Sequence, residues 1–168
     1  MSPAPRGQRA QGGPQLAMGL GVTSGALLLG VIGSDDRLQC DLVGHAIDEA
    51  AALEHLTKTW GTPMLLSRSA AETLSPAARR GLRELGAAPL AEDGGSGPCF
   101  EVIDALPPAL AARRRSTLAA FSLARAALAE GRDDEARAGF DEVLAVDPDD
   151  PAARLLRARC DAPEGRRS

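Results

Sequence analysis

Tyrosine is missing from this 168-residue sequence, and one tryptophan and three phenylalanines bring the aromatic share to only 2%. Any core must be built from Leu, Ala, Val and Ile, which bury less area per side chain, so modest stability is expected. Lysine is almost absent as well: Lys58 is the single lysine among nineteen basic residues. Long apolar runs are lacking. The longest, Ala26–Ile32, is broken by Gly30 and falls far short of the ~20 residues that span a bilayer, so no membrane segment is expected. Met1–Pro14 is rich in Gly, Pro, Gln and Arg without an apolar stretch, so it reads as a disordered leader and not as a secretory signal. The cysteines, Cys40, Cys99 and Cys160, are odd in number, widely spaced and form no C-x-x-C pair. Free thiols in a reducing compartment are the simplest reading, which places the chain in the cytoplasm. Net charge is −4 and the pI near 5.2. With no basic stripe interleaved with aromatics, no nucleic-acid partner is expected.

What is present is ordinary for a soluble globular chain: 44% hydrophobic and 25% charged residues. Residues 15–104 mix strand-like and helix-like patterns. Leu16–Val22 and Ala26–Ile32, joined through Thr23-Ser24-Gly25, read as a hairpin. Gly33-Ser34-Asp35-Asp36 is a turn, and Leu38–Val43 is a third short strand. Ile47, Ala50, Leu53, Leu56 and Trp60 fall near helical spacing, predicting a helix over 46–60 that Gly61-Thr62-Pro63 stops. Met64–Leu66 reads as a buried strand. Ser69-Ala-Ala-Glu72 resembles a capping box, and Ser75-Pro76 a fresh N-cap, with the helix running on to Gly86. Ala87–Leu106 would form a final hairpin around Asp93–Gly97. The order predicts an α+β fold, with helices packed on one face of a mainly antiparallel sheet. Ala105–Arg115, holding Pro107-Pro108 and the run Arg113–Arg115, reads as a solvated linker. Residues 116–162 are helical in pattern, and 163–168 read as disordered.

One stretch goes beyond fold class. Leu16-Ala-Met-Gly-Leu-Gly-Val-Thr-Ser-Gly25, Leu29-Gly-Val-Ile-Gly-Ser-Asp-Asp-Arg37, Cys40-Asp-Leu-Val-Gly44 and Leu53-Glu-His-Leu-Thr-Lys58 together resemble the second half of the class III adenylate/guanylate cyclase catalytic domain. A phosphate-cradling glycine loop at Gly19–Gly25 is rejected, because it leads into a strand-like run and not a helix N-terminus. The resemblance implies a partial ferredoxin-like nucleotide cyclase fold over 15–104. It also implies a chemistry in which two Mg or Mn ions ready the ribose hydroxyl of ATP or GTP for attack on the α-phosphate. The aspartates that hold those ions belong to the first half of such a domain, upstream of Gln15. Asp35 and Asp36, in the hairpin turn, do not replace them.

The same resemblance assigns nucleotide-facing roles to Asp41, Gly44 and Asp48. Asp41 stands at the base-selecting position and suits adenine, although an ordinary turn aspartate explains it equally well. Asp48 stands where the family has a ribose-orienting asparagine, and Ala52 where it has the arginine that stabilises the transition state. Losing one such donor typically costs about 2.7–4 kcal/mol of barrier, and an aspartate beside a triphosphate adds repulsion. Leu90-Ala91-Glu92-Asp93 occupies the region where the family keeps a phosphate-binding lysine. No catalytic residue, metal ligand or cofactor is therefore expected of this chain alone. His45 with Asp48 and Glu49 reads as a solvated, dipole-matched helix start and not as a metal site.

Residues 117–150 fit one tetratricopeptide-like unit of 34 residues, with Leu123, Ala124, Gly131, Ala136, Phe140 and Pro148 at its characteristic positions. Ala152–Cys160 would be a further helix that caps it. One repeat cannot bury its own apolar face, so this tail should pack on the preceding domain or on a partner. Three functional readings follow. The chain is a truncated cyclase homologue inactive alone. Or it is a regulatory module, pairing as homodimer or heterodimer with a cyclase-type subunit through its hairpin face and docking a protein through residues 116–162. Or it is an active cyclase, a reading that must explain the missing metal ligands, asparagine and arginine.

Overall fold

Two glycines decide how the chain begins. In the computed structural model, which describes residues 18–34, 37–90 and 95–161, the short strand β1 (Leu20–Val22) lies directly under helix α1 (His45–Trp60). A Cβ on Gly21 would sit 2.1 Å from the Ala50 carbonyl oxygen, and one on Gly19 would meet the Thr57 hydroxyl at the same distance. The glycine spacing thus serves close strand–helix approach, not phosphate binding. Gly21→Val should therefore push α1 off the strand at a cost of about 1–3 kcal/mol, read as a lower urea midpoint. A midpoint equal to that of the parent chain would contradict this packing.

After β1 come β2 (Leu28–Ser34) and β3 (Arg37–Val43), then α1, β4 (Met64–Ser67), the short helices α2 (Arg68–Thr73) and α3 (Pro76–Arg79), and the hairpin β5 (Leu82–Pro89) and β6 (Ser96–Val102). A 3₁₀ turn over Ile103–Ala105 leads to α4 (Pro108–Ala129), α5 (Asp133–Val146) and α6 (Pro151–Cys160). The main sheet has the order β1-β4-β6-β5, parallel between β1 and β4 and antiparallel elsewhere. β2 and β3 form a separate two-stranded sheet. The architecture is mixed α and β, with two sheets and six α-helices among the described residues.

Four local expectations are corrected. The strand at 20–22 does not form a hairpin with its successor. It crosses to β4, while β2 pairs with β3 from Leu28↔Val43 to Ser34↔Arg37. The cap of α2 is Ser67, whose hydroxyl accepts from the Ala70 amide, so Ser69 lies inside the helix. The helix that Ser75 caps stops at Arg79, and β5 begins at Leu82. Ala105–Arg115 is largely helix, because Pro108 suits a first helical turn where its missing N–H is not needed.

The tail shares one core with the sheet. Leu53 and Trp60 of α1, Leu65 of β4, and Leu85 and Cys99 of the last hairpin form a continuous buried cluster with Phe121, Phe140, Val143 and Leu156 of α4–α6. The expected docking of the helical unit on the preceding domain is what the structure has. α4 and α5 cross closely at Gly139, where a Cβ would lie 2.7 Å from that of Ala124.

Candidate functional site

An open cleft of ≈1040 Å³ lies where the base of the β2–β3 hairpin, the start of α1, α2 and the tip of the β5–β6 hairpin meet. Ala26, Leu27, Leu28 and Val43 form one wall, and Leu90 with Gly95–Pro98 the other. His45, Glu49, Arg68, Ser69 and Glu72 bring polar groups to it. The turn from β3 into α1 is made by Gly44, whose φ of 157° few other residues adopt and whose missing Cβ admits the Ala26 carbonyl.

Two lining residues, Ser69 and Glu49, belong to a chain of side-chain hydrogen bonds with Thr23 and Ser67. Ser67 donates to Thr23 at 2.9 Å, Thr23 donates to the Glu49 carboxylate, and Ser69 lies 2.7 Å from Ser67 and 3.2 Å from Thr23. The loop after β1 is thereby pinned to the end of β4 and the start of α2. Because these hydroxyls satisfy one another, they hold the loop, while His45, Arg68 and Glu72 of the lining are exposed.

The residues singled out from sequence separate. Gly44 lines the cleft. Asp48 is exposed on α1 and does not. Asp41 pairs through its backbone with Gly30 in the β2–β3 ladder, but its side chain lies outside the described residues, as do Asp35, Asp36 and Ala91–Gly94. His45 and Asp48 are exposed, and Glu49 is engaged with Thr23. Among the described residues no group of three or more His, Cys, Asp or Glu side chains is placed to share a metal ion.

A second polar constellation lies at the other end of the β5–β6 hairpin. Arg83, Glu101, Arg114, Asp147 and Asp150 are all buried, none more than 3% exposed. Asp150 forks onto Arg83, with contacts of 2.5 and 3.2 Å, and reaches Arg114 at 3.0 Å. Asp147 pairs with Arg114 and lies 3.7 Å from Arg113 at the rim. The Nε of Arg83 lies 2.6 Å from Glu101, an ion contact without hydrogen-bond alignment. Arg114 is therefore no part of a solvated run. It sits on the buried α4 stripe with Ala111, Thr117, Phe121 and Ala124, a spacing the sequence carried.

Cys99 is buried under the hairpin and donates to the Gly86 carbonyl at 3.6 Å. Burial pushes its thiol up to about 12, the Glu84 carboxylate adding to the effect. A raised value is the reverse of what a nucleophile needs. At pH 8 the thiolate fraction is about 10⁻⁴, so mass spectrometry after brief thiol labelling of the folded chain should find Cys99 unmodified. Labelling in urea should reach it.

Comparison with known proteins gives two relationships. A family model described as tetratricopeptide repeat matches residues 101–160. The chain is 31% identical over 62 residues to an adenylate cyclase of Anabaena cylindrica, covering 37% of this chain and 12% of that protein. It is 35% identical over 60 residues to adenylate cyclase 1 of Rhizobium meliloti (strain 1021), covering 36% and 9%. The chain thus spans a small part of the curated relatives it matches. Two structures of a bacterial light-regulated adenylyl cyclase are similar at 23% and 22% identity, each covering 60% of this chain and 29% of theirs with a TM-score of 0.45. The chain is similar to these adenylate cyclases over about a third of its length. No helix among the described residues is long and apolar enough to cross a membrane.

Proposed function

We propose that these residues are a pairing module of cyclic-nucleotide signalling: the second half of a class III cyclase-type domain, silent by itself, that lends its β2–β3 hairpin to a cyclase-type subunit. The observation that carries this reading is the hairpin. It joins no other strand among the described residues, and Leu28 and Leu29 are 71% and 65% exposed beside Val43 at 59%. An isolated two-stranded sheet is marginal in water, and apolar side chains exposed on both of its faces, Leu28 with Val43 on one and Leu29 on the other, mark surfaces that a protein partner covers.

Silence follows from α1. Asp48 and Ala52 occupy the positions where the family resemblance calls for asparagine and arginine, so α1 offers no guanidinium for charge developing on phosphate. The pure chain with ATP or GTP and excess Mn²⁺ should release no cyclic nucleotide above a blank, and turnover above it would sink the reading. The pairing arm is tested by light scattering. The chain should self-associate, or bind a full-length class III cyclase, at micromolar concentration, and Leu28→Glu should abolish it. A monomer that binds neither, at any concentration reached, removes the pairing role.

The tail supports the same reading in a coarser way. Tetratricopeptide repeats commonly mediate protein contacts, and the outer side of α4 carries Leu123, 73% exposed. Its inner side is already spent on the sheet, so a protein docked through residues 116–162 would have to use the outer one.

A further inference from the structure

Asp147 and Asp150 come from the loop joining α5 to α6, whereas Arg83 opens β5 and Glu101 lies near the end of β6. The buried ion cluster therefore joins the tail to the base of the β5–β6 hairpin. The tip of that hairpin, Leu90 and Gly95–Pro98, is a wall of the cleft. Between base and tip the register runs unbroken except for a bulge at Glu84/Gly86, directly after Arg83. Bulges bend and twist a ladder locally, so the clamp lies next to a bend in the described part of the hairpin.

We propose that the tail is a docked clamp that sets the cleft wall: seating of the Asp147–Asp150 loop on Arg83 and Arg114 fixes the angle of the β5–β6 hairpin, so tail docking and cleft shape form one equilibrium.

Three features favour a device over a simple fastener. Asp150 binds both sides at once, capping α6 through the Ala153 amide at 3.1 Å while it forks onto Arg83. Seating the sheet arginine and starting the last helix are thus the same event. The apolar part of the contact, which includes Phe121, Phe140 and Val143, carries no directional bonds. Buried ions gain little net energy over apolar groups of the same size, yet they tolerate one pose only. And Phe121 of α4 lies beneath the Arg83 guanidinium, 4.2 Å from ring centroid to Cζ, so movement of α4 reaches the same arginine. A protein that captures the α5–α6 loop would release the hairpin, whatever ligand the cleft takes.

Hydrogen exchange on the full chain tests this. In the parent protein, peptides covering 82–90, 95–102 and 147–160 should open with one common urea dependence. Different slopes for the tail and the hairpin would overturn the proposal, and this measurement decides the matter even where a variant fails to fold. Asp150→Asn keeps the size of the side chain and removes its charge. It should speed exchange in all three segments together, by about tenfold or more, as expected for loss of a charge-assisted hydrogen bond. Faster exchange confined to 147–160, or none anywhere, would show a local fastener and no clamp. Asp141→Asn, which disturbs only the exposed pair with Arg157, should leave every segment as it was.

Discussion

Arg83→Leu should lower the free energy of unfolding by about 3–5 kcal/mol, the cost of breaking a buried ion pair by removing one partner. The leucine fits the apolar surroundings, so cavity formation is not the main loss. What it leaves behind is. Glu101, Asp147 and Asp150 would remain buried with Arg114 as their one fully buried cation. Three carboxylates around one guanidinium repel one another, and each loses solvation it cannot regain without opening the fold. A domain of this kind has about 5–15 kcal/mol in all, and a core this poor in aromatics lies toward the lower end. The variant should therefore populate unfolded chain at 37 °C. Arg125→Leu is the comparison. It deletes a half-exposed ion pair with Glu84 and should cost no more than about 0.2–1 kcal/mol. Urea titrations followed by far-UV circular dichroism separate the two, and equal midpoints would mean that the cluster is wetter than its burial indicates.

Helices with a clear start or stop could be read before the structure. α1 was marked by its apolar spacing and by Gly61, and α5 by the acids Asp133, Asp134 and Glu135 in its first turn. α6 was expected over Ala152–Cys160, and in the structure Asp150 caps it with Pro151 at the first helical position. Strand partners were harder to read. β1 looked ready to pair with its neighbour, but three residues hold too little pattern to choose between a hairpin and a crossover. The helix carried on to Gly86 was a misread period. Arg83 and Leu85 alternate inward, but a charged residue at an inward position hides the alternation.

The same masking hid the ion cluster. Arg83 with Leu85, Cys99 with Glu101, and Arg114 with Phe121 all lie on buried stripes by simple periodicity. Arg114 was assigned to a solvated run, and nothing in the sequence singled out Arg83 or Glu101, because charged residues are seldom fully buried unless paired. No local signal couples residues as far apart as Arg83 and Asp150. The cleft was legible only at Gly44. The network of Thr23, Ser67, Ser69 and Glu49 joins three places that only the fold brings together.

Phe121→Ala should cost about 3–5 kcal/mol as a fully buried aromatic deletion, and its pattern matters more than its size. Phe121 meets Phe140 edge-on, with centroids 5.6 Å apart, and carries Arg83 on its face. The loss is therefore felt on the tail side and the sheet side together. Combined with Arg83→Leu, the two losses should fall short of their sum by about 0.5–3 kcal/mol, since each variant already removes part of what the other holds. The single tryptophan supplies the readout. Trp60 is buried at the end of α1 with Arg159 of α6 over its ring, so its fluorescence reports on the junction while circular dichroism is weighted toward the long tail helices. If sheet and tail are one cooperative unit, both signals change at the same urea concentration in the parent chain, and both shift equally in Phe121→Ala. A tail that merely leans on the domain would behave otherwise. Its helices would melt first, and Trp60 would report that loss of the junction before the sheet unfolded, splitting its transition in two.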